Sequence, residues 1–248
     1  MVAKLHVIAT SHPCACVERA LAIKGVDYRR VELPDLVHRP IQRLRYGRPT
    51  VPGLTLADGE RVMGSVAILR RLEELVPVPP LYPAAPEARS RVEAAEQWGE
   101  EVLQNAVRRI EVALFRRYPR ALLSYAAAST LPIPRWLIRA NAPVGVRVYA
   151  RLVGASDAAA RSDVHALPGY FDRVDGLIAE GTIGGEAPNA ADLQIGSSVR
   201  QLGAIADLEP LIANRPAVAL TRHFPPMVGQ VPAGTAPMDW LPSPTAAT

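Results

Sequence analysis

The sequence predicts a two-domain chain, a mixed α/β domain of βαβαββα order followed by an all-helical domain. Three observations predict it. Over residues 1–76, alternating apolar spacing and three-to-four-residue apolar spacing trade places in that order. Five prolines then fall between Val76 and Pro86, marking residues 77–86 as a linker. From 87 to 224 the apolar residues recur only at helical spacing.

Each element has a local reason. Lys4 to Thr10 alternates as a strand does, with Leu5, Val7 and Ala9 on one side. From Cys14 the period lengthens. Val17, Ala20, Leu21 and Lys24 share a helical face, and Gly25 stands where a helix takes its C-terminal glycine. Asp27 to Leu33 alternates again. A basic, weakly periodic segment follows, with Ile41 and Leu44 as its expected buried contacts. Thr50-Val51-Pro52 leads into Leu54 and Leu56, Asp58-Gly59 signals a hairpin, and Arg61 to Met63 returns as its second strand. Ser65 is placed to cap a helix whose Val66, Ile68, Leu69, Leu72 and Leu75 form one apolar face.

Beyond the linker, Glu87 to Tyr118 carries Val92, Ala95, Trp98, Val102, Ala106, Ile110 and Ala113 at helical spacing. Ala121 to Val153 is apolar but holds Pro132, Pro134 and Pro143, which predicts two or three short helices. Tyr170 to Glu180 and Ala190 to Ala206 read as the clearest later helices. Asn189 and Asp192 ahead of the second have the spacing of a capping box. Residues 225–248 read as an extended, Pro-rich tail.

Composition narrows the function. The chain has 28 basic and 24 acidic residues, a net charge of +4, and only Lys4 and Lys24 are lysines. Arginine pairs are scattered with acids nearby and no aromatic-interleaved basic block, which argues against a nucleic-acid partner. The longest charge-free apolar stretch, Ala121 to Pro134, is too short for a membrane span. No secretory leader pattern opens the sequence, and two cysteines one residue apart make no disulfide framework. A cytoplasmic protein is expected, and its Ala, Arg and Pro content fits a GC-rich bacterial source. The five histidines have no metal-ligand spacing, so no metal site is expected.

The element order, with a proline directly before the hairpin, is that of a thioredoxin-like domain. Four segments then resemble the glutathione transferase superfamily: Ser11 to Gly25, ending RALAIKGVDY with the residues after it; Thr50-Val51-Pro52-Gly53-Leu54; DGERVMGSVAILRRLE from Asp58; and PNAADL from Pro188. There is some likeness also to metaxins and to the thioredoxin-like prostaglandin E synthase. The resemblance implies a cis Pro52 that exposes the Val51 backbone to a bound tripeptide. It implies that Ser65 and the residue before it hold the γ-glutamyl end of glutathione. That preceding residue is commonly Glu or Gln and here is Gly64, which removes a side-chain ligand. The composition allows an actinobacterial source, in which mycothiol is the alternative thiol, and Gly64 is compatible with it. A homodimer is implied too, with an electrophile pocket lined from Trp98 to Phe115 and by Trp136.

The resemblance also places Ser11 where the family contacts the thiol sulfur, and Cys14 where C-x-x-C relatives keep a second cysteine. A hydroxyl at position 11 stabilises a bound thiolate by donating to it. Cys14, near a helix N-terminus, reads either as a thiol of depressed pKa that forms mixed disulfides or as a small core residue; Cys16 reads as core. His12 stands close enough to tune the site. The implied function is binding and activation of a low-molecular-weight thiol for attack on an apolar electrophile. The alternatives are Cys14-dependent thiol–disulfide exchange and a non-catalytic binding module of the same fold.

Overall fold

In a computed structural model, which describes residues 2–242, strands β1 (Ala3–Val7) and β2 (Tyr28–Glu32) run parallel and are joined by helix α1 (His12–Ile23). Helix α2 (His38–Tyr46) leads to β3 (Gly53–Thr55), which pairs antiparallel with β1, placing Leu5 opposite Leu54. Strand β4 (Arg61–Met63) completes the hairpin, and α3 (Ser65–Leu75) closes the domain. The sheet order is β2-β1-β3-β4. The expected βαβαββα order is therefore present. Leu5, Val7, Val17, Leu21, Leu54, Ile68, Leu69 and Leu72, all fully buried, make its core.

Local chemistry explains the element ends. Pro13 pre-sets the first turn of α1, and Gly25 follows the helix at a φ of 63°. Two expectations are corrected. Leu44 is 90% exposed, because α2 turns His38 and Gln42, one turn apart, toward the protein and so puts position 44 on the opposite face. Ser65 is the first residue of α3 and caps nothing; Gly64, at a φ of 92°, holds the N-cap position in a conformation that favours glycine.

The linker is anchored rather than loose. Lys24, at the end of α1, donates to Glu73 Oε2 (2.5 Å), to the carbonyl of Val76 (2.7 Å) and to that of Pro79 (2.6 Å). The Leu81 N–H donates to the same Glu73 oxygen, and the Leu81 carbonyl accepts from the Ala190 N–H. Leu81 itself is fully buried.

In the helical domain, α4 (Pro86–Trp98), a π-helical turn (Gly99–Leu103) and α5 (Gln104–Arg117) follow one another without a break. A short α6 (Leu122–Tyr125) precedes α7 (Arg135–Val153). The expected short helices of Ala121 to Val153 are thus corrected in part. Pro132 and Pro134 do precede a helix start, but α7 runs through Pro143. A helix that packs against α5 and α6 tolerates the loss of one backbone hydrogen bond. Helix α8 (Asp157–Ala179) starts well before Tyr170, because Ser156 caps it by accepting from the Ala159 N–H at 3.1 Å.

Helix α9 (Ala190–Leu202) sits at the centre of the molecule, packed against α1, α4 and α5. Its capping box is complete: Asn189 accepts from the Asp192 N–H, and Asp192 accepts from the Asn189 N–H. Residues 225–242 run mostly extended but return to the core, with Val231 bridging Ile205 and Trp240 buried; the rest of the expected tail, 243–248, lies outside the described residues. Among the described residues, no helix is long and apolar enough to cross a membrane.

Candidate functional site

A cavity of about 510 Å³ opens between the sheet domain and the helical domain. Its floor is the loop from β1 into α1 (Ile8 to Pro13), the segment from β2 into α2 (Glu32 to Arg39), and Thr50-Val51. Its opposite wall comes from α5, α6 and α7 and is mostly apolar, with Val112, Phe115, Leu137, Val146 and Val153 among its side chains. Two non-glycine residues among those described have left-handed φ, Thr10 at 61° and Leu36 at 64°, and both line this cavity. Such backbone costs about 1–3 kcal/mol and concentrates where function requires it.

The expected site residues divide. Ser11 and Val51 both line the cavity; Cys14, Pro52, Gly64 and Ser65 do not. Ser11 is the N-cap residue of α1, yet its side chain makes no capping bond; its hydroxyl stands against the Cys14 thiol instead. The neighbouring Thr10 hydroxyl is already committed to the Ala9 carbonyl at 2.6 Å. The Val51–Pro52 bond is cis, as the resemblance implied. The Pro52 carbonyl accepts from Gly64 N–H at 3.0 Å, whereas the N–H and C=O of Val51 carry no hydrogen bond among the described residues.

Cys14 departs from the reading that gave it a low pKa. The thiol is 2% exposed, and burial pushes it up to about 12 against the opposing effect of Ser11 and the Ile8 backbone. It stays protonated at neutral pH. Cys16 is fully buried, its thiol raised well above the ordinary value by burial, and it donates to Gln194 Oε1 at 3.5 Å. His12 is buried and hydrogen-bonded to Ser198 Oγ at 3.1 Å; burial, then Arg108, holds it well below its usual range, so it enters the cavity wall neutral.

Ser65 lies at the N-terminus of α3 with its hydroxyl buried and unpartnered. Beside it, a methyl group placed at position 64 would stand 3.8 Å from Glu100 Oε1. Glu100 belongs to the π-helical turn, a feature that often marks functional sites. The helical domain therefore brings a carboxylate to the place where Gly64 offers no side chain. Burial raises the Glu100 carboxyl, then Glu101 adds repulsion, while Arg48, Arg70 and Arg108 act in the other direction.

Other polar groups in the cavity were not picked out from the sequence. Glu111 on α5 accepts from Gln201 Nε2, and burial pushes its carboxyl up to about 7. Asp35 is exposed at the cavity, with Glu32 near enough to repel its charge. Tyr125 is buried beside Glu111, with its hydroxyl next to that carboxyl. Trp98 and Trp136, expected as lining, are not: Trp98 packs edge-on against Tyr170 under Arg173, and Trp136 is 70% exposed. One signal for Glu111 was present, since it is the lone acid in the otherwise apolar IEVALF. Among the described residues no cluster of His, Cys, Asp and Glu suits a metal ion.

Comparison with known proteins agrees with this architecture. Residues 5–80 match the family described as the glutathione S-transferase N-terminal domain. No curated protein matches the chain in sequence. Among solved structures, a glutathione S-transferase from Rhodospirillum rubrum F11 superposes with a TM-score of 0.58 at 21% identity, over 94% of this chain and 98% of that one. One from Sinorhizobium meliloti 1021 gives 0.58 at 15% identity, over 94% and 97%. A glutathione S-transferase-I bound to lactoylglutathione gives 0.60 at 17% identity, over 90% and 98%. Residues 5–80 thus resemble a glutathione S-transferase N-terminal domain, and the chain as a whole shares the fold of these solved glutathione S-transferases.

Proposed function

We propose that the protein is a glutathione transferase that activates the bound thiol through Ser11 and presents it to apolar electrophiles in the interdomain cavity. The observation that carries this reading is the meeting, in one cavity, of the Ser11 hydroxyl, which helix capping does not use, and the unpaired backbone of Val51 beneath an apolar wall from the second domain. An extended tripeptide pairs with the N–H and C=O of Val51 as an added strand. Its cysteine then faces Ser11, whose O–H donates to the sulfur and favours the thiolate.

The γ-glutamyl end of glutathione is an α-amino acid, with a carboxylate and an ammonium. The carboxylate suits the N-terminus of α3 and the unpartnered Ser65 hydroxyl. The ammonium suits Glu100, which stands in for the side chain that Gly64 lacks. Mycothiol has no γ-glutamyl end for these groups to hold, so we assign glutathione as the cosubstrate. The working unit we assign is a cytoplasmic homodimer, the assembly the resemblance implies. Cys14-dependent exchange requires a buried, protonated thiol to leave the core, and nothing in the site favours it.

The test is conjugation of glutathione to chlorodinitrobenzene, followed by absorbance. Turnover that saturates in glutathione supports the reading, and a complete absence of turnover and binding supports a non-catalytic module. In the same assay Glu100→Gln is expected to raise KM for glutathione by about tenfold, the scale of one charge-assisted hydrogen bond, with a much smaller change in kcat. An unchanged KM removes Glu100 from the thiol site.

A further inference from the structure

The cavity is apolar on most of one wall but has a polar corner that thiol binding does not use. Glu111 from α5, Tyr125 from α6, Arg108 one turn before Glu111, and Asp35 from the loop before α2 all line it. The Glu111 carboxyl is held from behind by Gln201 of α9, which donates to Oε1. The Tyr125 side chain is 4% exposed, and its hydroxyl stands next to that carboxyl and interacts with it. A carboxyl and a phenol, each able to donate a proton or hydrogen bond, thus pair at the border of an apolar cavity.

Resting on the thiol-transferase reading, we infer that Glu111, with Tyr125 and Arg108 beside it, is a general acid for electrophiles in which attack leaves negative charge on an oxygen, namely epoxides and α,β-unsaturated carbonyls. With an epoxide, the thiolate sulfur supplies the electron pair of the new S–C bond. The C–O bond breaks, and its electron pair stays on oxygen. That oxygen takes the proton from the Glu111 carboxyl, and the carboxylate regains a proton from water once product leaves. The net reaction is addition of one thiol across the epoxide, so atoms, electrons and protons balance.

The charge environment suits the role. Burial keeps Glu111 protonated to about neutral pH; Asp35 across the cavity adds to this, while Gln201, Tyr125 and Arg108 act against it. Arg39 and Tyr149 complete the charged and titratable groups around this corner. Arg108 offers positive charge to a developing alkoxide or enolate.

The experiment compares styrene oxide with chlorodinitrobenzene, glutathione being the thiol for both, in wild type and Glu111→Gln. The glutamine keeps an oxygen for Gln201 but carries no acidic proton. Loss of chloride from the arene needs no acid, so the ratio of epoxide to chloroarene kcat/KM is expected to fall about 100-fold, the scale of general acid catalysis. Wild-type epoxide turnover is also expected to decline on the alkaline side as Glu111 ionises, with no matching decline for the chloroarene. Tyr125→Phe is expected to lower the same ratio by a smaller factor. An unchanged ratio in Glu111→Gln, with both substrates turned over, overturns the general-acid role alone. Absence of wild-type turnover on both substrates overturns the thiol-transferase reading and this inference with it.

Discussion

Ser11→Ala is expected to lower kcat/KM for glutathione conjugation by about 100- to 1,000-fold, the usual effect of removing a single donor to a developing or reacting anion. The fold is not expected to suffer, because the Ser11 hydroxyl makes no capping bond to α1 and its backbone carbonyl still accepts from Ala15. The Thr10 hydroxyl cannot take over while it is bound to the Ala9 carbonyl. The effect should appear mainly in kcat, since we assign the tripeptide backbone and its γ-glutamyl end to Val51, Ser65 and Glu100. Steady-state kinetics at several pH values provide the check. A variant that recovers wild-type turnover at high pH, where glutathione ionises unaided, identifies thiol activation as the lost step. Turnover unaffected by Ser11→Ala but abolished by Cys14→Ala would transfer the chemistry to the cysteine.

Lys24→Met is expected to lower stability by about 3–5 kcal/mol, the cost of leaving a buried charge without its partner. The ammonium is completely enclosed, so removing it strands Glu73 and the carbonyls of Val76 and Pro79 together. Those groups fix the first turn of the linker, and Glu73 also holds the N–H of the buried Leu81. For a chain of this length the melting midpoint should drop by roughly 10 °C. Calorimetric melting provides the check. The double variant Lys24→Met, Glu73→Met should regain part of the loss, because paired apolar replacements remove the stranded carboxylate. A midpoint unchanged in Lys24→Met would mean that the linker is held by packing alone.

The first domain was legible because its signals are local. Alternation around Leu5 and Val7, the glycine after α1, and the Asp-Gly turn before β4 each act within a few residues, and all of these elements are present. Helix α7 was read as broken because proline propensity is local too, while packing against α5 and α6 that keeps the helix intact across Pro143 is not. Leu44 misled for a related reason. Its apolar side chain suggested burial, but the orientation of α2 is set by His38 and Gln42.

The site shows the same division. Ser11 and Val51, which loop position and sequence neighbours single out, both line the cavity. Glu100, Glu111 and Tyr125 meet the first domain only because the helical domain packs against it, and Asp35 carries no local motif that marks it. Of the two readings of Cys14, its place at a helix N-terminus favours a low pKa, but enclosure by the core outweighs that effect and leaves the core reading. Burial is a tertiary property, and no short stretch of sequence contains it.

The most direct measurement is calorimetric titration of the wild-type protein with glutathione in two buffers of different ionisation enthalpy. Saturable binding, with protons released because Ser11 stabilises the thiolate, is the predicted result. No binding heat in either buffer would contradict the account at its centre and leave the fold serving a different ligand.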